Sequence, residues 1–242
     1  VQRGAGEAID LSDGQYRDAG ALLLDSAEAI YAQSDMIVKV KEPLPSEWRL
    51  LRPGQILYAY LHLAADAALT RALVASGSVC FAYETITGPD RSLPLLAPMS
   101  EVAGRMSIQV GAAGLQTSNG GMGLLLGGVP GVPPAHVVIL GAGVVGSQAM
   151  QAAVGLGARV TILDCRVERL RRIDRVYGNR AVTAFSTAQA VEEAVASADL
   201  LVGAVLVPGA TAPRLVTRPM VADMRKGSVI VDVAIDQGGC VE

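Results

Sequence analysis

Val137-Val-Ile-Leu-Gly141-Ala-Gly143-Val-Val-Gly146 decides how this chain folds. A GxGxxG motif alone is weak in a chain with 27 glycines. Its context is what carries weight: an apolar β-branched run leads in, and helix-forming residues Val145–Leu156 lead out. In such a corner Gly141 permits the tight turn and Gly143 has no Cβ to obstruct a pyrophosphate. Gly146 lets the helix pack close to its strand. The helix N-terminus then presents unpaired N–H groups and a partial positive charge to phosphate. Eighteen residues beyond Gly146, the next apolar run ends in Asp164. A carboxylate there can accept hydrogen bonds from the adenosine ribose and repel a 2′-phosphate. Arg166 and Arg169 complicate that preference, since an arginine at this edge can accept a phosphate. The plain alternative is a glycine-packed corner with a solvated aspartate.

Around the corner the pattern is regular. Val137–Leu140, Arg159–Leu163, Ala181–Phe185, Leu200–Val205 and Val229–Val233 read as strands. Val145–Leu156, Val167–Tyr177, Ala188–Ser197 and Pro219–Lys226 read as helices. Strands without polar alternation are buried on both faces, as in a parallel sheet covered by helices. Toward the N-terminus, Ala21–Ala32 is spaced as an amphipathic helix, and Met36–Val40, Ile56–Leu63 and Val79–Tyr83 as strands, with a helix over Ala67–Ser76. Lys41-Glu-Pro-Leu-Pro45 must be a loop, because its two prolines defeat both helix and ladder. Ser100–Leu115 reads as a long helix joining the halves, and Gly120–Pro134 as a linker. The expectation is α/β: two Rossmann-like domains, parallel sheets flanked by helices, with residues 1–98 forming one domain and 99–242 a nucleotide-binding domain.

Composition narrows the function. At 242 residues, 51% hydrophobic and 18% charged, the chain has core material for one or two domains and none of the signature of disorder. Its net charge of −3 argues against nucleic acid or an anionic membrane as the main partner. No stretch gives about 18 clean apolar residues, and Val1–Asp10 has no signal-peptide core. Cys80, Cys165 and Cys240 are few and far apart, which reads as reduced cytoplasmic thiols with neither a disulfide frame nor a metal site.

Three further side chains stand out. Asp236 follows the last strand and precedes Gly238-Gly239, so it can lie in the crevice at the strand ends or merely stabilise the turn; spacing alone leaves the two readings level. Asp232, inside the strand, reads as structural. Lys41 and His62 both follow apolar runs, which puts them near strand ends on one side of a parallel sheet. A lysine there can hold a carboxylate, and a histidine can exchange protons near neutral pH. Taken singly, each has a bland counterpart: a hydrogen-bonded core histidine and a solvated strand-end lysine.

Several longer motifs go further. Val38-Lys-Val-Lys41-Glu-Pro, Tyr60-Leu-His62-Leu-Ala-Ala, Ala82-Tyr-Glu-Thr85, Leu93-Pro-Leu-Leu-Ala-Pro-Met-Ser-Glu-Val-Ala-Gly-Arg105, Gly128-Val-Pro-Gly131, the glycine loop and Val231-Asp-Val-Ala-Ile-Asp-Gln-Gly-Gly239 resemble alanine dehydrogenase. The resemblance runs in register from about Leu11 to the last residue. It implies that Lys41 binds pyruvate, that His62 is the catalytic histidine and that Asp236 is a second acid/base group. It implies NAD contacts at Ser100, Asp164, Arg169, Ser186, Val205, Leu206, Val233, Ala234, Ile235 and Asp236, and a cytoplasmic homohexamer whose substrate domain, residues 1–98, and NAD-binding domain, 99–242, close on their ligands. Nicotinamide nucleotide transhydrogenase shares the architecture but lacks a histidine at the His62 position.

The implied reaction is L-alanine, NAD and water going to pyruvate, ammonia and NADH. The same resemblance places a further strand with a substrate-binding arginine before Val1 and a returning segment after Glu242. The expectation is therefore that residues 1–242 alone bind NAD weakly without oxidising alanine. A non-catalytic NAD-binding fragment, or a transhydrogenase-like nucleotide-binding subunit, is the competing reading.

Overall fold

The computed structural model describes residues 1–90 and 92–242. They divide into two compact units, Val1–Ser92 and Leu93–Glu242.

The first unit runs α1 (Asp13–Asp18), α2 (Ala27–Gln33), β1 (Met36–Val38), α3 (Pro45–Trp48), β2 (Ile56–Ala59), α4 (Ala67–Ser76) and β3 (Val79–Ala82). The strands pair in parallel in the order β1-β2-β3, with Met36 opposite Ile56 and Ile56 opposite Val79. α4 forms where the sequence places it: the Asp66 carboxylate accepts the Ala68 and Leu69 N–H groups, and Gly77 closes the helix at φ 66°. Its Leu69 and Leu73 pack with Tyr31, Ile37, Leu57, Ala59 and Leu61 as the core of this unit. The expected helix over Ala21–Ala32 is shorter. Leu24 donates to the Val1 carbonyl and accepts from the Arg3 N–H, so this stretch is extended, and α2 starts after Ser26, whose hydroxyl accepts the Ala29 N–H.

The second unit comprises α5 (Ala97–Gly114), β4 (His136–Leu140), α6 (Val144–Gly155), β5 (Arg159–Asp164), α7 (Val167–Tyr177), β6 (Val182–Phe185), α8 (Ala188–Ser197), β7 (Leu200–Gly203), α9 (Arg218–Ala222) and β8 (Val229–Asp232). All five strands are parallel, in the order β6-β5-β4-β7-β8. Every residue of β4 is buried. Val137 and Ile139 pack on one face with Ile108, Met150 and Ala153, while Val138 and Leu140 pack on the other with Val191 and Val195. That two-sided burial is why the strand sequences show no polar alternation. α5 begins at Ala97, before the expected start at Ser100, because Pro98 fits the first helical turn, where its missing N–H loses nothing. Strand order reverses between β4 and β7, so the carboxyl edge there is the topological switch point at which such sheets bind ligands. Among the described residues, no helix is long and apolar enough to cross a membrane.

Candidate functional site

The carboxyl edge of the larger sheet is built around the glycine loop. Gly141 has φ 102°, and a Cβ there would lie 2.6 Å from the Ala204 carbonyl oxygen. A side chain at Gly146 would overlap the Gly141 carbonyl oxygen, so neither position accepts one. Gly143 differs. A Cβ there would meet only the Arg169 guanidinium, at 3.8 Å, leaving its backbone open to an incoming group. The three glycines therefore do three different jobs, and only Gly143 is spared by packing.

Asp164 ends β5 and is 5% exposed. One carboxylate oxygen accepts the Ala142 N–H at 2.7 Å and the Arg169 guanidinium at 3.1 Å, while the other accepts the Arg166 N–H at 2.7 Å. Burial pushes this carboxyl up, but the two backbone donors and Arg169 outweigh it and hold it below its ordinary range. Asp164 thus ties the glycine loop to the start of α7. Ser186 follows β6 and donates its N–H to the Asp164 carbonyl at 3.2 Å. Val205 and Leu206 lie just past β7, and the Val205 nitrogen is 3.2 Å from where a Gly141 Cβ would stand. Val233, Ala234, Ile235 and Asp236 form a 3-10 turn directly after β8. All these expected nucleotide contacts lie at or just past the same sheet edge. Ser100 lies within α5, 8% exposed.

The turn carrying Asp236 is held by Asp232. Its carboxylate accepts the N–H groups of Ala234 at 3.0 Å, Cys240 at 2.8 Å and Val241 at 3.1 Å. The Cys240 thiol donates to it as well, and burial together with the Asp232 charge pushes that thiol up to about 12. Cys240 is accordingly an inert packing group.

In the smaller unit the pairing of β1 with β2 extends past the strand ends, with Lys39 donating to Tyr58 and Tyr60 to Val40. Lys41 and His62 therefore emerge at the same edge, each three residues past its strand. His62 has φ 48°, a left-handed conformation that side chains seldom adopt. The buried Glu84 carboxylate stabilises it, accepting the His62 N–H at 2.7 Å and the Leu61 N–H at 3.2 Å. The His62 ring stacks near Tyr60, with centroids 6.2 Å apart and planes at 18°, and its Nδ1 is 3.6 Å from Glu42 Oε2. Glu84 was missed as a functional residue. Its one signal is an acid directly behind the end of β3, where loop N–H groups of a neighbouring strand lack ladder partners.

Comparison with known proteins fits this geometry. Residues 1–103 match the family described as "Alanine dehydrogenase/PNT, N-terminal domain", and residues 107–242 match "Alanine dehydrogenase/PNT, C-terminal domain". The chain is 55% identical to the alanine dehydrogenase of Halomonas elongata and 52% identical to that of Mycobacterium tuberculosis, in each case over 100% of this chain and 65% of the relative. It thus spans about 65% of the length of these curated relatives. Among solved structures, an L-alanine dehydrogenase matches with a TM-score of 0.86 at 53% identity, over 100% of this chain and 67% of that one. A transhydrogenase from Sinorhizobium meliloti matches with 0.78 at 31%, over 100% of this chain and 70% of that one.

Proposed function

The chain belongs to the alanine dehydrogenase/PNT family, and from that premise we propose that it carries the substrate-binding and nucleotide-binding parts of an NAD-dependent alanine dehydrogenase, interconverting L-alanine with pyruvate and ammonia. The observation that carries this reading is His62 at the carboxyl edge of its sheet, backbone clamped by Glu84, in a chain with a second unit built as a dinucleotide fold.

The glycine loop fits a pyrophosphate: Gly143 leaves the backbone open, and the N-terminus of α6 supplies N–H donors. Asp164 favours NAD over NADP. A carboxylate has about four acceptor sites, and Asp164 fills three with protein donors, which leaves one toward a ribose hydroxyl. Arg169 donates one N–H to Asp164, so part of its charge is already paired there. NAD, held by the glycine loop and Asp164, would supply the hydride acceptor for oxidation at the alanine α-carbon. Lys41 holds the substrate carboxylate or carbonyl, His62 exchanges the proton on the substrate oxygen, and Asp236 exchanges the proton on ammonia or water. Assembly into a cytoplasmic homohexamer completes the reading. It is supported by an apolar row along α5, Met99, Val102, Met106 and Val110, each at least half exposed and spaced along one helix face.

NADH and NADPH titrations of the chain, followed by fluorescence, test the cofactor half. NADH should bind more tightly, Asp164→Ala should weaken NADH selectively, and equal or tighter NADPH binding overturns the assignment. In a chain carried to the length of its relatives, alanine-dependent NAD reduction should fall by on the order of 10² to 10⁴ in His62→Ala. A slight fall would make His62 a packing residue.

A further inference from the structure

Glu42 lies directly behind Lys41, and nothing so far requires it. Its Oε2 is shut off from solvent without a hydrogen-bond partner, a costly state for a carboxylate oxygen. The oxygen stands 3.6 Å from His62 Nδ1. The loop around it is fixed. The Pro43 carbonyl accepts the Trp48 indole N–H at 2.9 Å, and the nearby Glu47 carboxylate is occupied by Lys39 and the Leu44 N–H, each at 2.6 Å. His62 is equally fixed in its backbone by Glu84 and carries Tyr60 alongside its ring. What these contacts leave open is which ring nitrogen bears the proton. A neutral imidazole donates from one nitrogen and accepts at the other, and the partner of one nitrogen determines the role of the other.

We infer that Glu42 is the positioning residue of His62: Oε2 accepts the Nδ1–H and so leaves Nε2 as the atom that takes and returns the substrate proton. The 3.6 Å separation is just beyond hydrogen-bond range, and a small turn of either side chain closes it. The titratable groups facing the ring are Glu42 at Nδ1, Glu84 behind its backbone and Tyr60 beside it, with Tyr83 packed edge-on against Tyr60. Of these, Glu42 is the acceptor set against a ring nitrogen. The inference rests on reading His62 as the acid/base group, but the geometry it asserts does not depend on turnover.

The chain contains two histidines, His62 and His136, so ring-nitrogen NMR of histidine-labelled chain 1–242 at mildly alkaline pH resolves both. The expected His62 pattern is the Nδ1–H tautomer. It should revert in Glu42→Ala toward the Nε2–H form that free imidazole favours, and persist in Glu42→Gln, whose amide oxygen can still accept. Fluorescence of Trp48, the single tryptophan, which packs against the core of the smaller unit, reports that each variant remains folded there, and the His136 ring, held by the Ser197 carbonyl and the Thr161 hydroxyl, reports on the larger unit. An Nε2–H pattern in the unaltered chain, or an unchanged pattern in folded Glu42→Ala, overturns the inference. If Glu42→Ala does not fold, the unaltered chain and Glu42→Gln decide it. Because neither NAD nor alanine enters the measurement, absence of alanine oxidation in a chain carried to the length of its relatives, together with the Nδ1–H pattern, refutes the proposed activity and leaves this inference standing.

Discussion

Replacing Glu84 with alanine removes the acceptor for two adjacent loop N–H groups, and the expected loss can be worked from the contacts. The Leu61 N–H points at both carboxylate oxygens, at 3.2 and 3.3 Å, and the His62 N–H at one, at 2.7 Å. Leu61 is 1% exposed, so water cannot replace its partner. Hydrogen bonds to a charged group contribute about 1.5–3 kcal/mol each, and a buried orphaned donor costs about 1–3 kcal/mol. Against this, a His62 freed from φ 48° recovers part of the roughly 1–2 kcal/mol held in its left-handed backbone. The net expectation for Glu84→Ala is a loss of about 2–4 kcal/mol. Glu84→Gln keeps one acceptor oxygen and should lose about 1 kcal/mol.

Trp48 makes the assay specific, because it is the single tryptophan and packs against the core of the smaller unit. Urea unfolding followed by its fluorescence reports that unit alone. With a slope of about 1–3 kcal/mol per molar urea, the Glu84→Ala midpoint should fall by about 1–2 M. An unfolding free energy within about 0.5 kcal/mol of the unaltered protein would mean that the clamp is decorative and that His62 holds its conformation by other means.

Gly143→Ala and Gly146→Ala should separate ligand space from packing: Gly143→Ala keeps its melting temperature and loses NADH affinity, whereas Gly146→Ala, with no room beside the Gly141 carbonyl, is destabilised before binding is considered. Equal thermal melts for the two would contradict this. His136 is a neutral core histidine, pushed below its ordinary value of 6.5 chiefly by burial. The unfolded chain takes up a proton there that the folded one refuses, so stability of the larger unit is full above about pH 6.5 and declines as pH falls toward the lower folded value. His136→Gln should flatten that slope in pH-dependent melts; an unchanged slope assigns it to other groups.

How far the sequence speaks depends on which physical property a residue records. α7 and α8 have the bounds expected for them, Val167–Tyr177 and Ala188–Ser197, because helical spacing is a local signal. Strand ends ran long. Ile56–Leu63 was expected where β2 stops at Ala59, and Leu200–Val205 where β7 stops at Gly203. Apolarity records burial, not ladder pairing: Leu61 is core, yet its N–H goes to Glu84. The placement of Lys41, His62 and the glycine loop at strand ends was legible, because each directly follows an apolar run. The contacts of Glu42 and Glu84 with the His62 segment were not, because a contact between residues far apart in sequence leaves no spacing pattern.

Three carboxylates make the wider point. Glu84 just past β3, Asp164 at the end of β5 and Asp232 at the end of β8 each accept two or more backbone N–H groups from loops at a carboxyl edge. Where parallel strands stop, the ladder stops supplying acceptors, and loops that must stay open to a ligand cannot pair with one another. A carboxylate meets that need with several acceptor sites on one short side chain. Its drawback is negative charge at an edge proposed to receive a pyrophosphate. Asp164 is offset locally, by Arg169 and by backbone donors that turn its charge inward, so the phosphate-facing surface of the loop is left to the N–H groups at the start of α6. The arrangement holds the loop in shape without its ligand, the condition under which binding does not have to order the backbone as well.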